Sequence, residues 1–164
     1  MRLSLSEGAA DGPNRVVHRL DDGRSLVWEL SDEEPEGALL SREVELDPST
    51  EWVMRHDRVD FEPGGIAYRH VHPGPGIRYL LFGQISIDSE GAEHVYGPGE
   101  PWFERGPDPV LATTAAGEPS AFVRVMLLPA EWEGKRTIRY VDPADADKPK
   151  TQRATILLEQ PVER

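Results

Sequence analysis

The chain has 164 residues, enough for one domain with a sizeable core and too few for two ordinary ones. Lys and Arg number 18 against 30 Asp and Glu, a formal net charge of −12. The positive charge is almost all arginine, apart from Lys135, Lys148 and Lys150, and forms no basic run, which argues against a nucleic-acid backbone or an anionic membrane as partner. The absence of cysteine excludes disulfides, thiolate catalysis and cysteine-bound zinc.

Glycine and proline, 15 of each, exceed the usual share and suit short strands joined by tight turns better than a helical bundle. The opening residues Met1 to Gly8 lack the apolar core of a secretory signal, and no segment approaches the ~20 apolar residues of a membrane span. A soluble cytoplasmic protein is the expectation. Up to about residue 50, short apolar runs (Val16-Val17, Leu26-Val27-Trp28, Leu39-Leu40) alternate with acidic turn clusters and read as strands and loops. From Trp52 to Pro129 the strand pattern strengthens, over Val59–Phe61, Ile66–His72, Ile77–Asp88, Glu93–Tyr96, Trp102–Glu104 and Ala121–Leu128. The C-terminal part holds a strand candidate at Thr137–Val141, then a charged segment at Asp142–Lys150, then Ala154–Leu158, which reads as strand or helix. Strands at such intervals without a helical period predict an all-β sandwich or barrel.

The chemistry concentrates in Gly64-Gly65-Ile66-Ala67-Tyr68-Arg69-His70-Val71-His72. In a regular strand Ile66, Tyr68, His70 and His72 share a face, and two imidazoles so placed can converge on one ion or stand at a solvated strand end. Gly64, five residues, His70-Val71-His72, three residues, Gly76, six residues and Gly83 carry the spacing of the first cupin motif, and the chain resembles the cupin superfamily over roughly residues 50–130. The counterpart of the second motif runs Gly99, five residues, Arg105-Gly106-Pro107, two residues, Val110, three residues, Thr114.

The resemblance implies a jelly-roll (double-stranded β-helix) cupin barrel over residues 51–130. An N-terminal strand extension (1–50) would pack on it and a C-terminal extension (131–164) would follow. Metal-binding cupins hold their ion with two His and one Glu of the first motif and one His of the second. His70 and His72 match, whereas the Glu position is Gly76 and the last His position is Val110. Glu104 is the best substitute: it shares the parity of Trp102, so it reads either as a cavity carboxylate serving as ligand or general base, or as a surface residue paired with Arg105 or another arginine. Arg78 lies two residues past Gly76 and reads as solvent-exposed or as an inward cation needing Glu104 or an anionic ligand as partner; Arg124, mid-strand in Phe122–Leu128, reads as solvent-exposed or inward. Tyr68 is expected to line the cavity with the histidines or to pack in the barrel; His56 reads as a surface residue or as one reaching the cavity from a neighbouring strand, and His18 and His94 read as structural or exposed.

These residues predict a small-molecule enzyme using a divalent transition metal (Fe, Zn, Mn or Ni) on His70, His72 and Glu104. Glu104 and Tyr68 would be catalytic, and Arg78, Arg124 and Trp102 would bind the substrate of a dioxygenase, lyase or isomerase-type reaction. The alternative is a non-catalytic barrel without metal, in which Arg78 and Arg124 hold an anionic small molecule. A homodimer is expected, with terminal strands extending or covering the partner's sheet.

Overall fold

The computed structural model describes residues 1–164 and contains no α-helix. Fourteen strands follow in order: β1 (Arg2–Glu7), β2 (Arg15–Arg19), β3 (Ser25–Ser31), β4 (Leu40–Glu43), β5 (Trp52–Phe61), β6 (Ile66–Val71), β7 (Gly76–Phe82), β8 (Ile85–Ser89), β9 (Ala92–Tyr96), β10 (Pro101–Glu104), β11 (Val110–Thr114), β12 (Ser120–Pro129), β13 (Arg139–Tyr140) and β14 (Gln152–Pro161). They form three antiparallel sheets. Two five-stranded sheets, ordered β10-β7-β12-β5-β14 and β13-β6-β11-β8-β9, make the jelly-roll barrel. A four-stranded sheet, β2-β3-β1-β4, covers the outside of the first of these.

Alternation along β12 explains its near-continuous apolar run. Val123, Val125 and Leu127 pack with Leu3, Leu5, Leu26, Trp28, Met54 and Ile77 between the N-terminal sheet and the barrel wall, whereas Phe122 joins Phe61, Ile87, Trp102 and Val110 inside the barrel. A strand buried on both faces has no polar side to show, so its only charge, Arg124, requires an internal partner. β1 is absent from the sequence reading although Leu3-Ser4-Leu5-Ser6 has the two-residue period; both leucines are fully buried. The expected single segment Ile77–Asp88 is two strands, because Gly83 turns the chain at φ 85° and a Cβ there would meet the Ser120 hydroxyl at 2.1 Å. Ala154–Leu158 is strand: β14 pairs with β5 along the edge of one barrel sheet, and β13 adds an edge strand to the other through β6. The terminal strands thus pair within the chain. No helix is long and apolar enough to cross a membrane.

His56 is buried, not at the surface, and faces the inter-sheet core, not the barrel interior. Its ring lies 5.0 Å from that of His18 and 5.7 Å from that of Trp28. Burial, with a smaller contribution from His18, lowers its pKa from 6.5 to about 4. The unfolded chain therefore takes up a proton near pH 6.5 that the folded chain refuses until about pH 4, so stability is complete above that window and declines through it as pH falls. Denaturant unfolding at pH 7 and pH 4.5 should show this loss, of order 3 kcal/mol at most from His56. The His56→Phe variant should lose clearly less between the two pH values; an equal loss in both proteins would contradict the assignment.

Candidate functional site

A cavity of about 370 Å³ lies inside the barrel. Its walls combine a chiefly apolar region (Phe61, Ala67, Ile87, Ala112, Phe122) with a polar group made of Asp57, His70, His72, Glu104 and Arg124. The cross-strand register places these groups. Arg124 on β12 stands directly opposite Arg78 on β7 and Asp57 on β5, and Arg78 in turn is opposite Trp102 on β10. One row across the sheet therefore carries two adjacent guanidinium groups flanked by Trp102 and Asp57, with Glu104 at the next inward position of β10, opposite Gly76.

Both arginines face inward and are buried. Arg124 donates from Nε and Nη2 to Asp57 Oδ2 at 3.1 and 2.9 Å. Arg78, fully buried, contacts Glu104 Oε2 through Nη2 at 2.8 Å and donates from Nη1 to the Gly76 carbonyl at 2.8 Å. Glu104 faces inward with Trp102, whose indole N–H donates to its Oε1 at 3.0 Å, so both carboxylate oxygens are engaged. Arg105, the alternative partner, is exposed and pairs with Asp108. Burial lowers the Arg78 pKa to about 10, opposed chiefly by Glu104, which leaves the guanidinium charged at neutral pH.

His70 and His72 share the cavity, with ring centroids 4.8 Å apart and planes at 82°. Nδ1 of His70 lies 2.7 Å from the Tyr68 carbonyl, and Nδ1 of His72 lies 3.0 Å from the Thr137 hydroxyl. A carbonyl only accepts, so His70 must donate from Nδ1, and its neutral form leaves Nε2 as an acceptor. Burial holds both pKa values below the ordinary 6.5, His72 well below, and the Arg124 and Arg78 charges add to the effect at His72. Both rings are neutral at pH 7.

The parity of β6 corrects one expectation. Val110 pairs with His70 but Ala112 pairs with Ala67, so Tyr68 and Arg69 together oppose Leu111 in a β-bulge. The bulge turns Ala67 and His70 inward and carries Tyr68 to the outer face, where Lys148 Nζ sits 4.3 Å from its ring centroid. Tyr68 therefore does not line the cavity. Trp102 and Arg78 do not line it either. Trp102 stacks on Tyr96 at 4.9 Å and meets Phe122 edge-on at 5.3 Å, and it serves the site by holding Glu104. His94 is exposed on β9, and His18 is half-buried beside His56.

Several residues of the site went unread in the sequence. Asp57 lies in Arg55-His56-Asp57-Arg58-Val59-Asp60-Phe61, where charges crowd both faces and hide the alternation. The mid-strand position that singled out Arg124 was its only available signal. Thr137 and its neighbours close the cavity from the C-terminal segment, which Arg55 ties down: Nε pairs with Glu159 at 2.6 Å, Nη1 donates to the Lys135 carbonyl at 2.6 Å, and Nη2 donates to the Trp132 carbonyl. Nothing in the spacing of a one-dimensional motif reaches that far.

The metal implied by cupins can be tested against these donors. The imidazoles suit it, since their Nδ1 atoms are engaged and their Nε2 atoms are not. The third donor does not. Glu104 is held by a guanidinium and an indole, and no group of three His, Asp or Glu side chains is arranged to hold an ion. At Gly76 a Cβ would lie 2.6 Å from the Val125 carbonyl and 3.0 Å from Arg78 Nη1, so the guanidinium stands where a side chain from that position would emerge. The donor set does not fit the four-ligand site, and the expected group of His70, His72 and Glu104 is not assembled.

No protein-family model matches the sequence, and no curated protein matches it. Solved structures similar to the chain include the polyketide cyclase RemF from Streptomyces resistomycificus (22% identity, 58% of this chain and 64% of that one, TM-score 0.44) and an RmlC-like cupin from Shewanella frigidimarina (17%, 48% and 68%, TM-score 0.43). An oxalate oxidase is similar at 18% identity, over 48% of this chain and 47% of its own, with TM-score 0.42. The chain thus spans less than two thirds of the cyclase and about half of the oxidase. The fold is a jelly-roll barrel of two facing antiparallel sheets, with the His-x-His pair at the end of β6 turned into its cavity.

Removing one member of the Arg78–Glu104 pair strands a buried charge, which costs about 3–5 kcal/mol. Arg78→Met should lose that much stability in urea unfolding, and Arg78→Met with Glu104→Gln should recover part of it. Strict additivity of the two substitutions would contradict the coupling.

Proposed function

We propose that this chain is a small-molecule-binding cupin whose cavity takes an organic anion, with Arg124 facing the anionic oxygen and the His70–His72 pair accepting or exchanging a proton. The observation that carries this reading is the division of labour among the polar side chains. Glu104 is consumed by Arg78 and Trp102, and Asp57 binds Arg124 through a single oxygen. The imidazoles are neutral and keep Nε2 uncommitted, and Arg124 Nη1 has no partner in the protein. A neutral base beside a fixed cation suits abstraction of a proton from a substrate whose resulting anion the guanidinium stabilises, the elementary step of lyases and isomerases. Lys135, Arg136 and Lys150 line the same cavity in a chain of net charge −12, and none of them lies within ion-pairing distance of a carboxylate, which favours an anion on approach.

A second reading, a divalent metal on His70 and His72, is favoured by the two free Nε2 atoms alone; in it Glu104 would have to leave Arg78. We also propose a homodimer, because the edge strand β14 exposes Ile156, Leu157 and Leu158 in succession. Light scattering on the eluting protein at micromolar concentration should give twice the chain mass, and a monomer would contradict it.

A series of small carboxylates from acetate to benzoate tests the main reading by thermal unfolding. Saturation at about 100 Kd adds about 2.7 kcal/mol, or about 5–10 °C in Tm for a domain of this size. The double variant Arg124→Met/Asp57→Asn, which removes the cation together with its buried partner, should fold and lose most of the response. If no carboxylate shifts the parent, or if the variant shifts equally, the anion reading fails.

A further inference from the structure

The polar end of the cavity is unbalanced in a way that specifies more than a charge. Three hydrogen-bond acceptors belong to residues lining it and have no donor. His70 Nε2 is an acceptor because its Nδ1 proton is committed to the Tyr68 carbonyl. Asp57 Oδ1 is buried without a partner, although its sister oxygen takes both bonds from Arg124. Gln152 Oε1, on β14 opposite Phe61 and away from Asp57, is likewise buried and unpaired. His72 Nε2 also has no protein partner. Beside these acceptors Arg124 Nη1 has no partner in the protein, and Lys135 and Arg136 line the cavity next to Thr137. A buried polar atom left unpaired costs about as much as a lost hydrogen bond, so a ligand that brings donors to these acceptors relieves that cost.

An apolar stretch of wall (Phe61, Ala67, Ile87, Ala112, Phe122) accompanies these acceptors, with Phe61 and Phe122 in tilted contact at 6.0 Å, and suits the body of a ring. The volume of about 370 Å³ suits a molecule of one or two rings.

We infer that the ligand is a hydroxylated compound with an apolar body, a phenol or enol. Its O–H groups donate to His70 Nε2 and its neighbouring acceptors, one of its oxygens lies beside Arg124, and its ring rests against Phe61 and Phe122. This rests on the small-molecule reading above and narrows it: a carboxylate alone satisfies Arg124 and leaves every acceptor orphaned, whereas a hydroxyl satisfies both. Only a proton moves in this account, from the ligand oxygen to Nε2, and the electron pair stays on the oxygen facing the guanidinium.

Catechol, its monomethyl ether guaiacol, its dimethyl ether veratrole and benzoate, titrated calorimetrically into the full chain at pH 7, form the test. All four have similar bodies and differ in the donors they bring. Each methylation that removes a donor should weaken binding about tenfold or more, because a site built to bond a hydroxyl rejects the analogue lacking it. Thr137→Ala, which frees His72 Nδ1 without touching His70, should alter catechol affinity far less than His70→Leu, with melting temperatures reported for both. If veratrole or benzoate binds as tightly as catechol, the hydroxyl inference is overturned and the small-molecule reading stands. If none of the four binds up to millimolar concentration, both fall.

Discussion

Two guanidinium groups on directly paired residues of neighbouring strands, Arg78 and Arg124, stand side by side in the wall of an otherwise apolar barrel. Neither is tolerable there without a carboxylate, and Glu104 and Asp57 supply one each. Most of the site's character follows from that requirement. The carboxylates that could have served as metal ligands or general bases are spent on charge balance. The histidines across the cavity, buried and facing two cations, stay neutral. Trp102, large and apolar, acquires a polar duty because Glu104 has a second oxygen to satisfy.

The scaffold places this row through register. Around the site β5, β7 and β12 are buried on both faces, so their side chains there alternate between the inter-sheet core and the barrel interior. A shift by one residue in any of them would drive an arginine into the packing of Leu3, Leu5 and Trp28. The N-terminal sheet therefore does more than cover apolar surface: it penalises a one-residue slip of the strands that carry the site. The C-terminal segment completes the enclosure, held by three bonds from a single buried side chain, Arg55.

How much of this a sequence discloses depends on the range of the interaction concerned. The barrel strands were legible because their period is local, and the His-x-His pair because the motif spacing runs unbroken from Gly64 to Gly83. Glu104 was legible from its parity with Trp102. Tyr68 was misplaced because the bulge in β6 arises from pairing with β11, more than forty residues away, and leaves no mark on the local pattern. Asp57 was hidden among charges that alternate on both faces of β5. Thr137 enters the site only through the return of the C-terminal segment over the barrel. The departures at Gly76 and Val110 were plain, but their consequence was not. The space at Gly76 is filled by Arg78, and Val110 takes its place in the apolar packing of the barrel.

The central claim is that Arg78 and Glu104 form a closed pair and that no metal site is built from Glu104 with the histidines. Metal content of protein expressed in medium supplemented with Fe, Zn, Mn and Ni, followed by calorimetric titration of each ion, tests it most directly. The account predicts well under one equivalent of any transition metal after desalting, with binding no tighter than two imidazoles provide and the same in Glu104→Gln. Near-stoichiometric metal, held tightly by the parent and lost in Glu104→Gln, would contradict it.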